Sequence, residues 1–247
     1  MQIDLKGRVA LVTGGSRGIG RATALLFAES GAKVAIGYRN DEASASTAVE
    51  AMRAAGTEAF AIRADVSTAE GCAALHAEAV QRVGPIDVLV NNAGHHENDV
   101  FLALDDASFS RLFDAHVLSV VRLSRLVAPS MMARRWGRIL NLSSVAATKP
   151  TVGQANYSAA KAAVEAITRG LAIEFHKRGV NVNAVAPGLI ATDMVRGTDE
   201  PFVLSHQLVK RLGRPEEIAS WLLMLASRHG DYVTGRIFEL DGGFMLI

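Results

Sequence analysis

A tyrosine and a lysine four residues apart are the pair in this sequence best suited to do chemistry. Tyr157 and Lys161 lie in a segment whose apolar spacing predicts a helix, so their side chains share one helix face. A free phenol has a pKa of about 10, and a nearby ammonium favours its ionised form. The pair could therefore exchange a proton with a substrate oxygen. Tyrosine and lysine at this spacing also occur as a plain helix surface contact.

A serine pair upstream strengthens the catalytic interpretation. Ser143 and Ser144 end a predicted buried strand, on the same rim of the predicted sheet as Tyr157. The hydroxyl of Ser144 could donate a hydrogen bond to the substrate oxygen. The alternative is a loop serine that only caps the next segment.

A glycine-rich loop follows the first predicted strand and precedes a predicted helix. The segment Thr13–Gly20 reads TGGSRGIG. Its glycines allow a tight turn and a close approach of the backbone to a pyrophosphate, and the helix N-terminus favours negative charge. This position in the chain predicts dinucleotide binding, although glycine clusters also form plain turns.

The end of the second predicted strand indicates which dinucleotide is preferred. The segment Gly37–Asn40 contains no acidic residue that could bind a ribose 2′-hydroxyl. Arg17 and Arg39 could instead bind a 2′-phosphate by charge-assisted hydrogen bonds. We therefore expect NADP(H) to be preferred over NAD(H), unless Arg39 is only a solvated surface cation.

Strand and helix patterns alternate along the whole chain, which predicts an α/β fold: a doubly wound parallel sheet (Rossmann fold) in three α/β/α layers. One domain over residues 1–247 is expected. The predicted strands are Val9–Thr13, Lys33–Gly37, Glu58–Arg63, Asp87–Asn91, Gly137–Leu142, Asn181–Ala186 and Arg236–Leu240. The predicted helices are Gly18–Glu29, Asp41–Ala55, Ala69–Val83, Phe109–Arg135, Asn156–Lys177 and Pro215–Ser227. Ligands of such sheets bind beyond the carboxyl ends of the strands.

Composition narrows the range of partners. The 26 lysines and arginines nearly balance the 25 aspartates and glutamates, so no strong field favours nucleic acid or a membrane surface. Cys72 is the single cysteine and can form no internal disulfide. With no apolar signal segment at the start and no long apolar run, we expect a cytoplasmic protein that acts on a small molecule.

The motifs together resemble the short-chain dehydrogenase/reductase family, and most closely its 3-oxoacyl-acyl-carrier-protein reductase branch. The resemblance covers essentially the whole chain. It is carried by the glycine loop, Asp65-Val66, Asn91-Asn92-Ala93-Gly94, Ser144, Tyr157 with Lys161, Pro187-Gly188 with Thr192, and Asp241-Gly242-Gly243. It implies NADPH-dependent reduction of a 3-oxoacyl thioester, with Tyr157 as general acid. A reductase of a free ketone, sugar or steroid-like alcohol, or a catalytically weak partner of an active paralogue, are the alternatives.

The resemblance also implies which residues bind the cofactor, and Lys161 would in addition bind the nicotinamide ribose. Asp65 and Val66 would flank the adenine, while Pro187, Gly188, Ile190 and Thr192 would hold the nicotinamide end. The complete predicted set is Gly14, Ser16, Arg17, Gly18, Ile19, Gly20, Tyr38, Arg39, Asn40, Asp65, Val66, Asn92, Ala93, Gly94, Tyr157, Lys161, Pro187, Gly188, Ile190 and Thr192.

One residue of the expected proton relay departs from the family. His116 stands where the family has an asparagine on the long helix before the fifth strand. An imidazole can still donate or accept a hydrogen bond, and it titrates at about pH 6.5 unless perturbed. We expect His116 to preserve the relay in altered form with an altered pH profile. The alternative is a weakened relay and a slow enzyme.

Other departures concern partners and loops. Pro129 and Ile173 replace two basic positions that dock acyl carrier protein in the family, so this partner stays an open expectation. A homotetramer, or a hetero-oligomer with a paralogue, is implied by the resemblance. The segment Ile190–Lys210 is expected to act as a mobile lid. The histidines of His95–Asp99 are interpreted as part of a substrate-facing loop, and no metal site is expected.

Overall fold

A computed structural model describes residues 3–195 and 205–246 of the chain. Parallel strands alternate with helices in the order that the sequence predicts. The elements are β1 (Val9–Thr13), α1 (Gly18–Glu29), β2 (Lys33–Tyr38), α2 (Glu42–Ala54), β3 (Ala59–Arg63), α3 (Ala69–Val83), β4 (Val88–Asn91), α4 (Asp106–Phe113), α5 (Ser119–Ala133), β5 (Gly137–Leu142), α6 (Ala155–Phe175), β6 (Val180–Pro187), α7 (Pro215–Ala226) and β7 (Ile237–Leu240).

The strands form one seven-stranded parallel sheet in the order β3-β2-β1-β4-β5-β6-β7. The chain builds outward from β1 in one direction and then, from β4, in the other. This reversal leaves a crevice between the carboxyl ends of β1 and β4, where ligands of doubly wound sheets bind. The predicted fold class is confirmed.

Helices cover both faces of the sheet, and the strands are apolar enough to be buried between them. All five residues of β1 are buried, as are all four of β4. Apolar residues of α1, α2 and α7, including Phe27, pack on one face of the sheet. Residues of α3 and α5 pack on the other, including Leu75 and Leu123. A strand buried between two helical layers has no polar face, which is why these strands show no alternation.

The long helix predicted over Phe109–Arg135 is corrected by the structure. It consists of α4 and α5 joined by a π-helical turn over Asp114–Leu118. A π turn inserts one extra residue into the helical ladder, and such turns often occur at functional sites. His116 lies in the middle of this turn. Among the described residues, no helix combines the length and apolar character needed to cross a bilayer.

Candidate active site

The glycine loop between β1 and α1 presents backbone, not side chains, to the crevice. Gly14 and Gly18 have positive φ angles of 62° and 55°, which side chains disfavour. A Cβ atom on Gly20 would collide with the carbonyl oxygen of Gly14. The N-terminus of α1 behind this loop can therefore meet an anion at close range, as a bound pyrophosphate requires.

Polar contacts from the end of β4 hold the glycine loop in place. The Asn92 Nδ2 donates to the carbonyl oxygens of Thr13 and Gly14 at 2.9 and 3.1 Å. The Thr13 hydroxyl accepts the backbone N–H groups of Asn92 and Ala93, each at 2.9 Å. The predicted cofactor residues after β1 and β4 are thus joined in one rigid unit across the crevice.

Arginines lie near the end of β2, and the carboxylate of Asp41 in this region is already hydrogen-bonded to Ser44. Asp41 caps α2, where its carboxylate accepts the Ser44 N–H at 2.9 Å and the Ser44 hydroxyl at 2.6 Å. These hydrogen bonds lower the pKa of Asp41. Arg63 donates to the carbonyl oxygen of Arg39 at 3.2 Å, which places a second guanidinium beside that residue. Arg17 lies across the loop, 4.0 Å from Asp193.

The residues after β6 lie beside the glycine loop. The Gly188 N–H donates to Leu240 O at 3.0 Å, and Ile190 forms an isolated bridge with Gly213. The methyl group of Thr192 would lie 3.2 Å from a Cβ on Gly18, so the two segments touch. A cavity of about 990 Å³ runs along this side, bordered among others by Ser16, Arg17 and Thr192. Residues 196–204 of the predicted lid lie outside the described part of the chain.

Ser144 and Tyr157 are brought together by the ends of β5 and α6. The two side chains are near enough for the Ser144 hydroxyl to influence the pKa of Tyr157. Ser144 also accepts the N–H of Ala146 at 3.1 Å, so it caps the following turn as well as contacting Tyr157. Burial raises the pKa of Tyr157, and the hydrogen bond from Ser144 lowers it in part.

Lys161 lies beneath Tyr157 on the same face of α6. Its Nζ is 5.6 Å from the centre of the tyrosine ring and donates to Leu142 O at 2.7 Å. Burial lowers the pKa of Lys161 from 10.5 to about 7, because a charged ammonium is poorly solvated there. The amine can therefore gain or lose its proton near neutral pH.

His116 completes the cluster from the π turn. Its ring meets the Tyr157 ring edge-on at 5.5 Å and occupies the space left by the missing side chain of Gly94. The His116 Nε2 lies 2.6 Å from His95 O and 3.2 Å from the backbone N–H of His95. We place the hydrogen on Nε2 because the carbonyl, at the shorter distance, can only accept. The buried Nδ1 has no hydrogen-bond partner within the described residues.

The charge state of His116 differs from that of a free imidazole. Burial, with the positive charge of Lys161, lowers the pKa of His116 well below 6.5, although the hydrogen bond to His95 opposes the shift. The ring is therefore neutral over the usual assay range, which corrects the expectation that a titrating His116 alters the pH profile. Nδ1 is then an acceptor with no donor among the described residues, on a ring that contacts Tyr157.

Sequence reasoning missed three polar contacts that position these groups. Ser143 donates to the buried carboxylate of Glu165 at 2.9 Å, and Arg169 donates to the same carboxylate at 3.2 Å. Asn156 donates to Glu97 O at 3.0 Å, which ties the start of α6 to the loop after β4. Glu165 follows Lys161 by four residues, so helix periodicity could have placed it on the catalytic face.

The loop after β4 forms an ion-pair cluster. Glu97 accepts from Arg111 at 2.8 Å and lies 3.3 Å from His95 Nε2. The carboxylate is therefore neutralised by a cation of the chain itself.

Comparisons with known proteins agree with this geometry. Residues 14–245 match the family model described as enoyl-(acyl carrier protein) reductase. A 3-oxoacyl-[acyl-carrier-protein] reductase of Synechocystis is 40% identical, with 98% of each chain covered. A short-chain dehydrogenase from Burkholderia cenocepacia in complex with NADP has a TM-score of 0.91 at 33% identity, covering 98% of this chain and 99% of that one. An L-sorbose reductase from Gluconobacter frateurii with NADPH and L-sorbose has a TM-score of 0.93 at 30% identity, covering 100% of both chains.

These proteins match the chain over nearly its full length, in sequence and in fold. The matched region includes the glycine loop, the crevice and the clustered hydroxyl and amine groups described above. The chain belongs to the short-chain dehydrogenase/reductase family of NAD(P)-dependent oxidoreductases.

Proposed function

We propose that this protein reduces 3-oxoacyl thioesters to 3-hydroxyacyl thioesters with NADPH. The observation that carries the proposal is the proximity of the Ser144 and Tyr157 hydroxyl groups, with the buried Lys161 beside the tyrosine ring. Two hydroxyl groups at one point suit a carbonyl oxygen that gains charge as its carbon is reduced. The names of relatives such as the Synechocystis enzyme indicate the 3-oxoacyl class.

The residues present fit a nicotinamide dinucleotide. The side-chain-free glycine loop, the N-terminus of α1 and the segment Pro187–Thr192 would hold it along the crevice. When bound, this cofactor supplies or accepts the hydride. Asp65 and Val66 would contact the adenine, and Asn92, Ala93 and Gly94 would line the middle of the crevice.

The chain's own residues handle the substrate oxygen and the proton. Ser144 would donate a hydrogen bond to the carbonyl oxygen, and Tyr157 would transfer its proton to that oxygen as the carbon is reduced. The pKa of Tyr157 is raised by burial, so the phenol is protonated and ready to act as an acid. A charged Lys161 would favour the phenolate that results.

We propose His116 as a neutral member of the proton relay. Its unpartnered Nδ1 can accept a hydrogen bond from a water next to Lys161, as a side-chain amide oxygen could. His116→Asn should keep most activity and leave the shape of the pH–rate profile unchanged, because neither side chain titrates there. His116→Leu should slow the reaction; a leucine variant as fast as the parent would remove His116 from the mechanism.

We propose a preference for NADPH from the charges near the end of β2. Arg39 follows this strand, Arg63 donates to Arg39 O, and the charge of Arg17 acts on Asp41. The Asp41 carboxylate is occupied by Ser44. Arg39→Ala should reduce kcat/KM for NADPH by about tenfold, the loss of one charge-assisted contact, and leave NADH nearly unaffected. Equal losses for both cofactors would contradict a role at the 2′-phosphate.

The carrier of the acyl group, either acyl carrier protein or coenzyme A, can be identified by following NADPH oxidation. Pro129 and Ile173 are exposed but uncharged, and Arg122 is engaged by Ser67 O at 2.6 Å and by Asp114. NADPH oxidation should therefore be measured with acetoacetyl groups on acyl carrier protein and on coenzyme A, beside a panel of free ketones. Turnover of ketones or sugars alone would replace the proposed substrate with the class that the sorbose reductase represents.

Loss of the acid should stop chemistry but not cofactor binding. Tyr157→Phe is expected to lower kcat by a factor on the order of 10²–10⁴, the usual contribution of a general acid. NADPH affinity, followed by nucleotide fluorescence, should stay near that of the parent. A parent protein that binds NADPH but reduces nothing would instead favour a catalytically weak partner subunit.

We also propose that the protein self-associates through apolar side chains of its surface helices. Leu118 and Ile173 are exposed at the π turn and on α6. Contiguous apolar surface is a liability in a monomer. Sedimentation should give a tetramer, alone or with a paralogue, and a monomer would count against this assembly.

A further inference from the structure

Four large apolar side chains are exposed on two loops beside the catalytic residues. Val100, Phe101 and Leu102 lie on the loop after β4, and Val152 lies on the loop after β5. Leu102 is 96% exposed and Val152 is 91% exposed. We call these four residues the apolar ledge.

Hydrogen bonds tie the apolar ledge to the start of the catalytic helix. The Asp99 N–H donates to Gly153 O at 3.2 Å, which joins the two loops next to the exposed side chains. Asn156, immediately before Tyr157, donates to Glu97 O in the first loop. Val152 is separated from Tyr157 by so few residues that the two lie within at most about 17 Å. The ledge therefore lies beside the start of the helix that carries Tyr157.

The charges around the ledge exclude several kinds of occupant. No lysine or arginine occurs from His95 to Ser110, whereas Glu97, Asp99, Asp105 and Asp106 are acidic. The neighbouring cations are engaged elsewhere, since Arg111 pairs with Glu97 and Lys149 donates to Phe244 O. The remaining carboxylates disfavour an acidic carrier protein, a phosphate group or an anionic lipid surface at the ledge. A neutral hydrocarbon is not repelled, and it gains from covering exposed apolar groups.

We propose that the apolar ledge binds the hydrocarbon tail of the acyl substrate, beyond the carbonyl held by Ser144 and Tyr157. This inference rests on the proposed reduction of 3-oxoacyl thioesters. A short acetoacetyl group ends before the ledge, whereas a long chain passes over Val152 and Leu102. The protein is then selective for longer acyl chains, because each methylene placed on the ledge leaves water.

The test compares two chain lengths in a double variant, Leu102→Ser with Val152→Ser. Both side chains are almost fully exposed, so the substitutions remove little packing. We expect kcat/KM for 3-oxododecanoyl-coenzyme A to fall about tenfold while kcat/KM for acetoacetyl-coenzyme A stays unchanged. Leu102→Met should behave like the parent.

Tyr232→Ser is the matched control. Tyr232 is fully exposed and follows Asp231, whose carbonyl accepts from Asn181 at the amino end of β6, on the opposite edge of the sheet. This variant should change neither rate.

Four results would overturn the inference. Equal loss, or no loss, for both chain lengths would show that the ledge does not contact the tail. A changed sedimentation mass of the double variant would show that the ledge is a contact between copies of the chain. If the parent protein reduces acetoacetyl-coenzyme A and its kcat/KM does not rise with chain length, the role of the ledge is wrong but the proposed function stands. If the parent protein reduces no thioester, both the role of the ledge and the proposed function are wrong.

Discussion

Replacing Lys161 with methionine is expected to make the protein more stable near neutral pH while it destroys activity. Lys161 is only 5% exposed, and burial lowers its pKa from 10.5 to about 7. Methionine has a similar length and no charge, so it fills the same space without the cost of burying an ammonium. The expected gain in stability marks a residue kept for chemistry, not for folding.

The size of the effect follows from proton linkage. The unfolded chain binds the Lys161 proton more tightly than the folded chain, so this group weakens folding wherever the unfolded amine is protonated. The penalty is absent above the unfolded pKa of 10.5, grows as the pH falls, and levels off below about pH 7. Its slope is about 1.4 kcal/mol per pH unit where the folded amine is neutral and about half of that at pH 7, which gives about 2 kcal/mol between about pH 9 and pH 7.

Urea unfolding of the parent and of Lys161→Met, at one fixed protein concentration, measures this directly. The stability of the parent should rise from pH 7 to pH 9, and that of the variant should stay nearly flat and lie above the parent at pH 7. Measurements stop there because burial raises the pKa of Cys72 to about 11, which reverses the trend at higher pH. Exposed Lys177→Met is the control. A variant that is less stable at pH 7, or that keeps the parent's slope, would refute the reasoning.

Three further predictions concern other parts of the molecule. Gly20→Ala should abolish NADPH binding, measured by fluorescence, because its Cβ would collide with the glycine loop, while melting stays cooperative. Asp231→Asn should lower the free energy of unfolding by about 1–2 kcal/mol, since the buried guanidinium of Arg138 loses an exposed carboxylate partner. Glu165→Leu should lower kcat more than it changes KM, because Ser143 loses its hydrogen-bond partner. Glu165→Gln keeps an acceptor for Ser143 and should keep kcat near that of the parent. Equal rates in the two variants would exclude a positioning role for Glu165.

Local patterns were sufficient to predict most of the fold. Buried strands such as β1 and β4 are short apolar runs bounded by turn residues, and the glycine loop stands at the first strand-to-helix junction. Element type depends on neighbours along the chain, so these features are readable from the sequence. The Tyr157 and Lys161 pair is equally local, because both side chains belong to one helix face.

The π turn and the Ser143–Glu165 contact could not be predicted in this way. One extra residue in a turn leaves the apolar spacing of Phe109–Arg135 almost unchanged, so periodicity predicts an unbroken helix. Glu165 meets Ser143 only because α6 packs against the end of β5. Contacts between distant segments depend on tertiary packing, which propensity and spacing do not encode.

The structure also explains how a histidine can stand in the position of a relay amide. An asparagine side chain is neutral and offers one donor and one acceptor group. His116 can offer the same two functions, since Nε2 can donate to His95 O and the buried Nδ1, which has no partner within the described residues, is free to accept. Gly94 leaves room for the larger ring, and burial keeps the ring uncharged by lowering its pKa. In the relay proposed above, a histidine would therefore change the shape of the hydrogen-bond path more than its proton chemistry, and such a relay is compatible with an active reductase.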